Sequence, residues 1–183
     1  MDRLHISRFT TRVLTVWSLL LALTLITLTV THIVTPNPIS FHALSLDGFL
    51  ASLLMGLRVI VLFLVFSTIP MRWPVTLLTF LSLTIGIAAL SQFIGVVMQG
   101  HALVSLSYLA FIAVFCAFLY TAVYLTSETI EGNAWGEPGN TDQRYLVCWL
   151  KSLLTNLRRF SVPLLVTLLL FSVLLPLTNH VTF

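Results

Sequence analysis

The chain has 183 residues, of which 58% are hydrophobic and only 8% are charged. A soluble domain carries about a quarter charged residues. This composition, with a mean hydropathy of +1.03, excludes a soluble globular protein, a disordered chain, a collagen-like repeat and a disulfide scaffold. The length suits one domain, and we expect residues 1–183 to form a single integral membrane domain.

Five apolar runs predict helices that cross a bilayer, because a hydrocarbon core about 30 Å thick needs roughly 20 apolar residues per helix. They lie at residues 13–34, 49–69, 75–98, 102–126 and 162–178. The first run exceeds the length of a signal-peptide core and favours a signal anchor. In the last and shortest run, Pro163 suits the first turn of a helix. We therefore predict an all-α, polytopic membrane helix bundle with about five transmembrane helices.

The lysines and arginines indicate the orientation, because cytoplasmic loops hold the excess of positive charge. Eight of the nine fall in segments 1–12, 70–74 and 127–161, and the alternate segments 35–48, 99–101 and 179–183 contain none. This pattern predicts that the amino terminus is inside and the carboxyl terminus outside, most simply in a bacterial inner membrane. In a four-span alternative, residues 102–126 would lie on the membrane surface and the basic segment 127–161 would lie outside the cell.

The sequence contains no motif that indicates catalysis, a cofactor or nucleic-acid binding. The net charge of +3 comes from cations that form no stripe with interleaved aromatic residues. The five histidines include no pair spaced to direct two imidazoles at one metal. A phosphate-binding loop, a nucleophile elbow and an H-E-x-x-H motif are all missing. We therefore expect no enzyme activity, no catalytic residues, no cofactor, no metal site and no nucleic-acid partner.

Arg58 lies near the centre of the second predicted span, where an arginine costs about 2.5–3.5 kcal/mol on insertion scales. None of the six acidic residues falls within the five predicted spans. The candidates for neutralising Arg58 are therefore helix carbonyls, hydroxyls such as those of Ser67 or Thr68, a lipid phosphate, or an acid from another subunit. Two roles have equal weight at this point: burial within the bundle, and a place at a subunit interface or along a transport pathway.

A turn-rich stretch, SETIEGNAWGEPGNTD, follows the fourth run and predicts a cytoplasmic loop. Thr141 or Asp142 can then cap a new helix. In that helix, apolar and polar residues fall on different faces. The apolar face has Leu146, Leu150, Leu153, Leu157 and Phe160, and the polar face has Lys151, Thr155, Arg158 and Arg159. We predict a cytoplasmic amphipathic helix within residues 127–161, which either anchors to anionic lipid or docks a cytoplasmic partner.

Small residues recur in the third predicted span at spacings of four, which permits close approach of a neighbouring helix. The pairs are Ser82 with Gly86, and Ser91 with Gly95. Ordinary packing within the bundle explains them. They also suit a second hypothesis, in which the chain is a small membrane scaffold, accessory or immunity-type protein that acts through helix–helix contacts.

Residues 39–78 resemble part of the transmembrane T component of energy-coupling factor (ECF) transporters. The resemblance runs through the Leu-Ser-Leu and glycine of residues 44–48, the Leu57-Arg58 pair on the following helix, and the closing Ser67 and Thr68. Residues 128–154 are similar to the second coupling segment of that family and to the connection that leads to its last membrane helix. Together these segments cover about half of the chain.

The resemblance implies a non-catalytic membrane subunit for vitamin or metal-ion uptake, with other membrane subunits, a substrate-binding membrane subunit and a cytoplasmic ATPase as partners. In the family, an Ala-Arg-Gly type motif on each coupling helix inserts into the ATPase, and its arginine makes charge-assisted bonds. Here the two places read Met98 to Gly100 and Glu131 to Gly136, without arginine. The residues that this hypothesis assigns to partner contacts are Arg58, Glu131, Gly132, Asn133, Ala134, Trp135, Gly136, Lys151, Arg158 and Arg159.

Overall fold

The computed structural model describes residues 8–33, 43–69, 71, 73–98, 100–133 and 144–178, and its regular structure is entirely α-helical there. Each of the five helices is long and apolar enough to cross a membrane, so the prediction of an all-helical chain with five candidate spans is confirmed. By these lengths and compositions the chain is an integral membrane protein. The helices are α1 (Arg8–Val30), α2 (Leu46–Ser67), α3 (Trp73–Met98), α4 (Ala102–Glu131) and α5 (Tyr145–Thr178).

Capping residues and a glycine turn set two of the helix boundaries. Ser45 precedes α2, and its side chain accepts a hydrogen bond from the Gly48 amide at 3.1 Å. Asp47 adds a carboxylate to the first turn, where it interacts favourably with the helix dipole. After α3, Gly100 has a φ of 77°, which glycine adopts at little cost. Helix α4 begins two residues later, so the predicted short connection at residues 99–101 agrees with the helix ends.

The carboxyl-terminal region differs from the prediction, because one helix stands where an amphipathic helix and a separate span were expected. Helix α5 has 34 residues without a break, and Pro163 lies inside it and not in its first turn. The missing proline N–H removes one helical hydrogen bond. Contacts with α4 on either side of the proline hold the helix together: Phe160 meets Tyr124 edge-on at 5.2 Å, and Leu164 is buried in a cluster with Phe118.

Helix α4 is also longer than predicted, because it ends at Glu131 and not near Thr126. The first five residues of the predicted loop are therefore helical, and Ser127 and Thr129 among them are buried. Burial against neighbouring helices explains why this polar stretch continues the helix. The predicted start of a new helix at Thr141 or Asp142 lies outside the described residues.

Helices α4 and α5 form the antiparallel pair at the centre of the bundle. Helix α4 packs against α2, α3 and α5, whereas α1 packs against α3. On α5, the Phe171 ring stacks with Phe111, Phe115 and Phe118 of α4, with ring centroids 5.4–6.1 Å apart. Phe118 is fully buried and Phe171 is nearly so. Stacked aromatic rings of this kind contribute both apolar contact area and a preferred geometry.

Helix α2 approaches α5 through a stripe of small residues, Gly48, Ser52 and Gly56, spaced four apart. A Cβ atom on Gly48 would lie 3.2 Å from the Cβ of Pro176, and one on Gly56 would collide with the Cδ1 atom of Leu168. Small side chains therefore allow the two helices to come close. The predicted small-residue pairs lie in the third span only, although residues 48, 52 and 56 show the same spacing in the sequence.

We expect Gly56→Ile to destabilise the bundle by about 1–3 kcal/mol, because the added side chain must displace Leu168 or separate α2 from α5. Met55→Ile is the matched control, since Met55 is the neighbouring residue and is 42% exposed. The measurement is equilibrium unfolding of the purified protein in mixed micelles. Equal unfolding free energies for the two variants would contradict the close α2–α5 contact.

Candidate functional site

Three contacts show that one end of the bundle contains the ends of α2 and α4 and the beginnings of α3 and α5. The Thr126 hydroxyl donates to the Phe63 carbonyl at 3.3 Å. The rings of Phe66 and Trp73 meet edge-on, 6.4 Å apart. Tyr145 donates its hydroxyl hydrogen to the Thr68 carbonyl at 2.6 Å. We call this region the Ser67 end.

Two side chains of α5 fasten its first turns to the last turn of α2. Trp149 Nε1 donates to Ser67 Oγ at 3.1 Å, and Ser67 Oγ donates to the Leu64 carbonyl at 2.6 Å. Tyr145 satisfies the carbonyl of Thr68, one of the groups that the end of a helix leaves without an intrahelical partner. Because Ser67 is fully buried, these polar contacts are part of the packed structure.

A second polar contact joins the end of α4 to α5. Ser152 Oγ donates to the Thr129 carbonyl at 2.9 Å, and the Asn156 amide donates to Ser152 Oγ at 3.4 Å. A Cβ atom on Gly132 would lie 2.7 Å from Ser152 Oγ and 3.0 Å from the Glu128 carbonyl oxygen. Gly132 therefore provides the space that this contact needs.

The predicted coupling segment begins beside this contact. Glu131 is exposed at the last residue of α4, Gly132 follows as the capping residue, and Asn133 is partly buried. The remaining three predicted contact residues, Ala134, Trp135 and Gly136, lie outside the described part of the chain. The described beginning of the segment, at Gly132, thus lies against Ser152 of α5.

The three cations predicted to meet a partner are exposed on α5. Lys151, Arg158 and Arg159 occupy the outer side of the helix, and the Arg159 guanidinium lies 5.4 Å from the Phe160 ring centroid. The buried side has a polar stripe, Cys148, Ser152 and Asn156, together with Leu153. The apolar stripe predicted from the sequence is only partly buried, because Leu146 and Leu150 remain 65% and 48% exposed.

Arg58 is exposed on α2, about 18 Å along the helix axis from Leu46 and about 14 Å from Ser67 at 1.5 Å per residue. Residues two apart on a helix differ by about 200°, so Arg58 lies opposite Gly56 and the α5 contact. Among the described residues, none forms a hydrogen bond or an ion pair with Arg58. Burial within the bundle, one of the two roles considered for this arginine, does not agree with this placement.

The small residues predicted on α3 take part in more than one contact. A Cβ on Gly86 would lie 3.7 Å from Cys116 Sγ of α4, and Gly95 is buried. Ser91 donates to the Ala88 carbonyl at 2.8 Å, whereas the buried Ser82 hydroxyl oxygen has no hydrogen-bond partner among the described residues. The two pairs are nine residues apart, which turns a helix by about 900° and puts them on opposite sides.

One polar contact between α3 and α4 lies away from the Ser67 end. The Tyr108 hydroxyl donates to Gln92 Oε1 at 2.7 Å, and Tyr108 is only 1% exposed. The sequence does not indicate this pair, because the two residues lie 16 positions apart in two different apolar runs. Hydrogen bonding between the two removes the cost of an unpaired polar group in an apolar environment.

No protein-family model, curated protein or solved structure matches the chain. In the described segments, no group of three histidine, cysteine, aspartate or glutamate residues lies close enough together to hold a metal ion. Two surfaces are therefore the candidate functional sites. One is the Ser67 end with the α5 cations, and the other is the exposed face of α2 around Arg58.

Hydrogen bonding between Trp149 and Ser67 predicts energetic coupling between α5 and α2. In a double-mutant cycle of Trp149→Phe and Ser67→Ala, we expect a coupling energy of about 0.6–1.7 kcal/mol, the range for interhelical hydrogen bonds in membranes. Equilibrium unfolding in mixed micelles supplies the four free energies. A cycle of Ser67→Ala with Trp17→Phe, on α1, is the control and should be additive. A coupling energy of zero at Trp149 would refute this contact.

Proposed function

We propose that the chain is a non-catalytic transmembrane subunit of a multi-subunit transporter, related to the T component of ECF transporters. It resides in a bacterial inner membrane with its amino terminus inside and its carboxyl terminus outside. A cytoplasmic ATPase and a substrate-binding membrane subunit are its partners, and vitamins or transition-metal ions are the substrates of that family. This chain contributes neither a catalytic residue nor a cofactor site.

The observation that carries this proposal is the direct contact between the two segments that resemble the family. Ser67 and Thr68 close the first segment, and Trp149 and Tyr145 of the second hydrogen-bond to them. Within the second segment, Ser152 bonds to the Thr129 carbonyl across the helix pair. A subunit that transmits movement from an ATPase to membrane helices needs helix ends that are bonded to each other. Helix ends without such bonds would move independently and would not transmit the movement.

The exposed cations of α5 also favour a cytoplasmic partner. In the proposed orientation the Ser67 end faces the cytoplasm. Lys151 points away from the bundle there, and Arg158 and Arg159 are exposed about 14–15 Å further along α5 than Trp149. Of the two places where the family has its motif arginines, Glu131 to Gly136 begins at this end of the bundle, whereas Met98 to Gly100 lies at the opposite end of α3, and neither contains arginine. We propose that the α5 cations supply the positive charge at the ATPase contact that those arginines supply elsewhere.

The orientation predicts opposite reporter activities at two positions. Alkaline phosphatase fused after Phe183 should be active, because it folds outside the cytoplasm, and the same enzyme fused after Asn140 should be inactive. Green fluorescent protein at the same two positions should give the reverse result. An active phosphatase after Asn140 would contradict the proposed orientation and favour the four-span alternative.

Affinity purification from mild detergent, followed by mass spectrometry, tests the transporter proposal itself. We expect the tagged chain to recover a nucleotide-binding ATPase and a small hydrophobic binding subunit in fixed proportions. The triple variant Lys151→Gln, Arg158→Gln and Arg159→Gln should lose most of the ATPase, because it removes the proposed charge-assisted contacts. Arg12→Gln, which neutralises an exposed cation on α1, is the control and should retain it.

The scaffold hypothesis predicts a different outcome of the same purification. A chain that elutes alone, or with one unrelated membrane protein and no ATPase, would overturn the transporter proposal. Loss of the partner on substitution of Gly86 or Gly95, without any effect of the α5 cations, would support the scaffold hypothesis directly.

A further inference from the structure

The exposed face of α2 has Asp47 in its first turn, the cation Arg58 near its middle, and otherwise apolar side chains. Leu54 and Leu62 flank Arg58 at spacings of four residues, and Val61 and Val65 extend the same side. All four are about half exposed, between 47% and 58%. Helix α2 uses its opposite side to contact α5, through Gly48, Ser52 and Gly56. The Arg58 face is therefore free of contact with the central helix pair.

None of the carboxylates that the structure describes stands at the depth of Arg58. Asp47 lies in the first turn of α2, about 16 Å from Arg58 along the axis. Glu128 and Glu131 lie in the last turn of α4, near the Ser67 end. The other three acidic residues, Asp2, Glu137 and Asp142, fall outside all five candidate spans. A second copy of the chain in the same orientation has its described carboxylates at the same depths, so self-association brings none of these to Arg58.

A lipid phosphate is a poor match for Arg58 because of the direction of its side chain. Helical side chains lean toward the amino-terminal end of their helix. For Arg58 this direction leads toward Leu46, the end of α2 that is farther away. An arginine that reached a headgroup by the shorter route would have to extend against this preference.

We propose that the Arg58 face of α2 binds a transmembrane helix of another membrane protein that carries an aspartate or glutamate near its centre. The carboxylate pairs with the guanidinium in a bidentate contact, and the leucines and valines around Arg58 pack against the apolar remainder of that helix. This inference does not depend on the transporter proposal, because it follows from the position and surroundings of Arg58 alone.

Designed peptides in lipid vesicles test this inference without an ATPase or any cellular partner. The probe is a polyleucine helix about 20 residues long with a central glutamate, and otherwise identical peptides have glutamine or leucine at that position. The full chain, with Cys116→Ser, Cys148→Ser and Leu46→Cys for a donor dye, is reconstituted in phosphatidylcholine vesicles with acceptor-labelled peptide. Energy transfer measures their association.

We expect the glutamate peptide to associate about tenfold more strongly than the leucine peptide, consistent with interhelical polar contacts in membranes. The preference should disappear in Arg58→Leu and Arg58→Gln and should persist in the control Arg159→Leu. Circular dichroism and thermal unfolding check that all variants keep the fold, which we expect because Arg58 lies outside the buried core. Equal association of the three peptides with the unmodified face, or an unchanged preference in both Arg58 variants, would overturn the proposal and assign the charge to lipid headgroups.

Discussion

The aromatic contact between α4 and α5 is the interaction on which the rest of the bundle depends. Phe171 meets three phenylalanines of α4, spaced over two turns of that helix. Such a contact sets both the depth of one helix relative to the other and their rotation, because rings pack only in a few relative orientations. With this pair in place, α2 and α3 have a formed surface to pack against, and α1 is added through α3.

The position of α2 on this pair determines which of its side chains remain available. The stripe of Gly48, Ser52 and Gly56 has no side chain that would hold α5 away, so it is the side of α2 that can approach most closely. Helical geometry then places Arg58 on the opposite side. The close packing of Gly48 and Gly56 against α5 thus keeps Arg58 on the outer surface, although the charge of Arg58 is costly in a membrane. Among the described residues, none bonds to this guanidinium.

The number and approximate limits of the helices could be predicted because bilayer thickness sets the length of an apolar run. The ends of α4 and α5 could not, because they depend on contacts between distant residues. Ser127 and Thr129 read as loop residues in the sequence, yet their burial against neighbouring helices keeps them helical. Pro163 is compatible with the start of a helix and with its interior, and only the contacts of Phe160 and Leu164 with α4 decide between them.

Hydrogen bonds within a single helix explain how threonine side chains are tolerated on the outer surface of so apolar a bundle. On α1, Thr15, Thr24 and Thr27 each donate to the carbonyl four residues earlier, at 2.8–2.9 Å. A hydroxyl satisfied within its own helix needs no neighbour, so α1 can present leucine to lipid without a polar penalty. Arg58 differs from these threonines, because its guanidinium has five N–H donors and bonds to none of the described residues. The outer surface of α2 therefore carries donors that the described part of the bundle leaves without acceptors, whereas each of these three threonine donors of α1 has one.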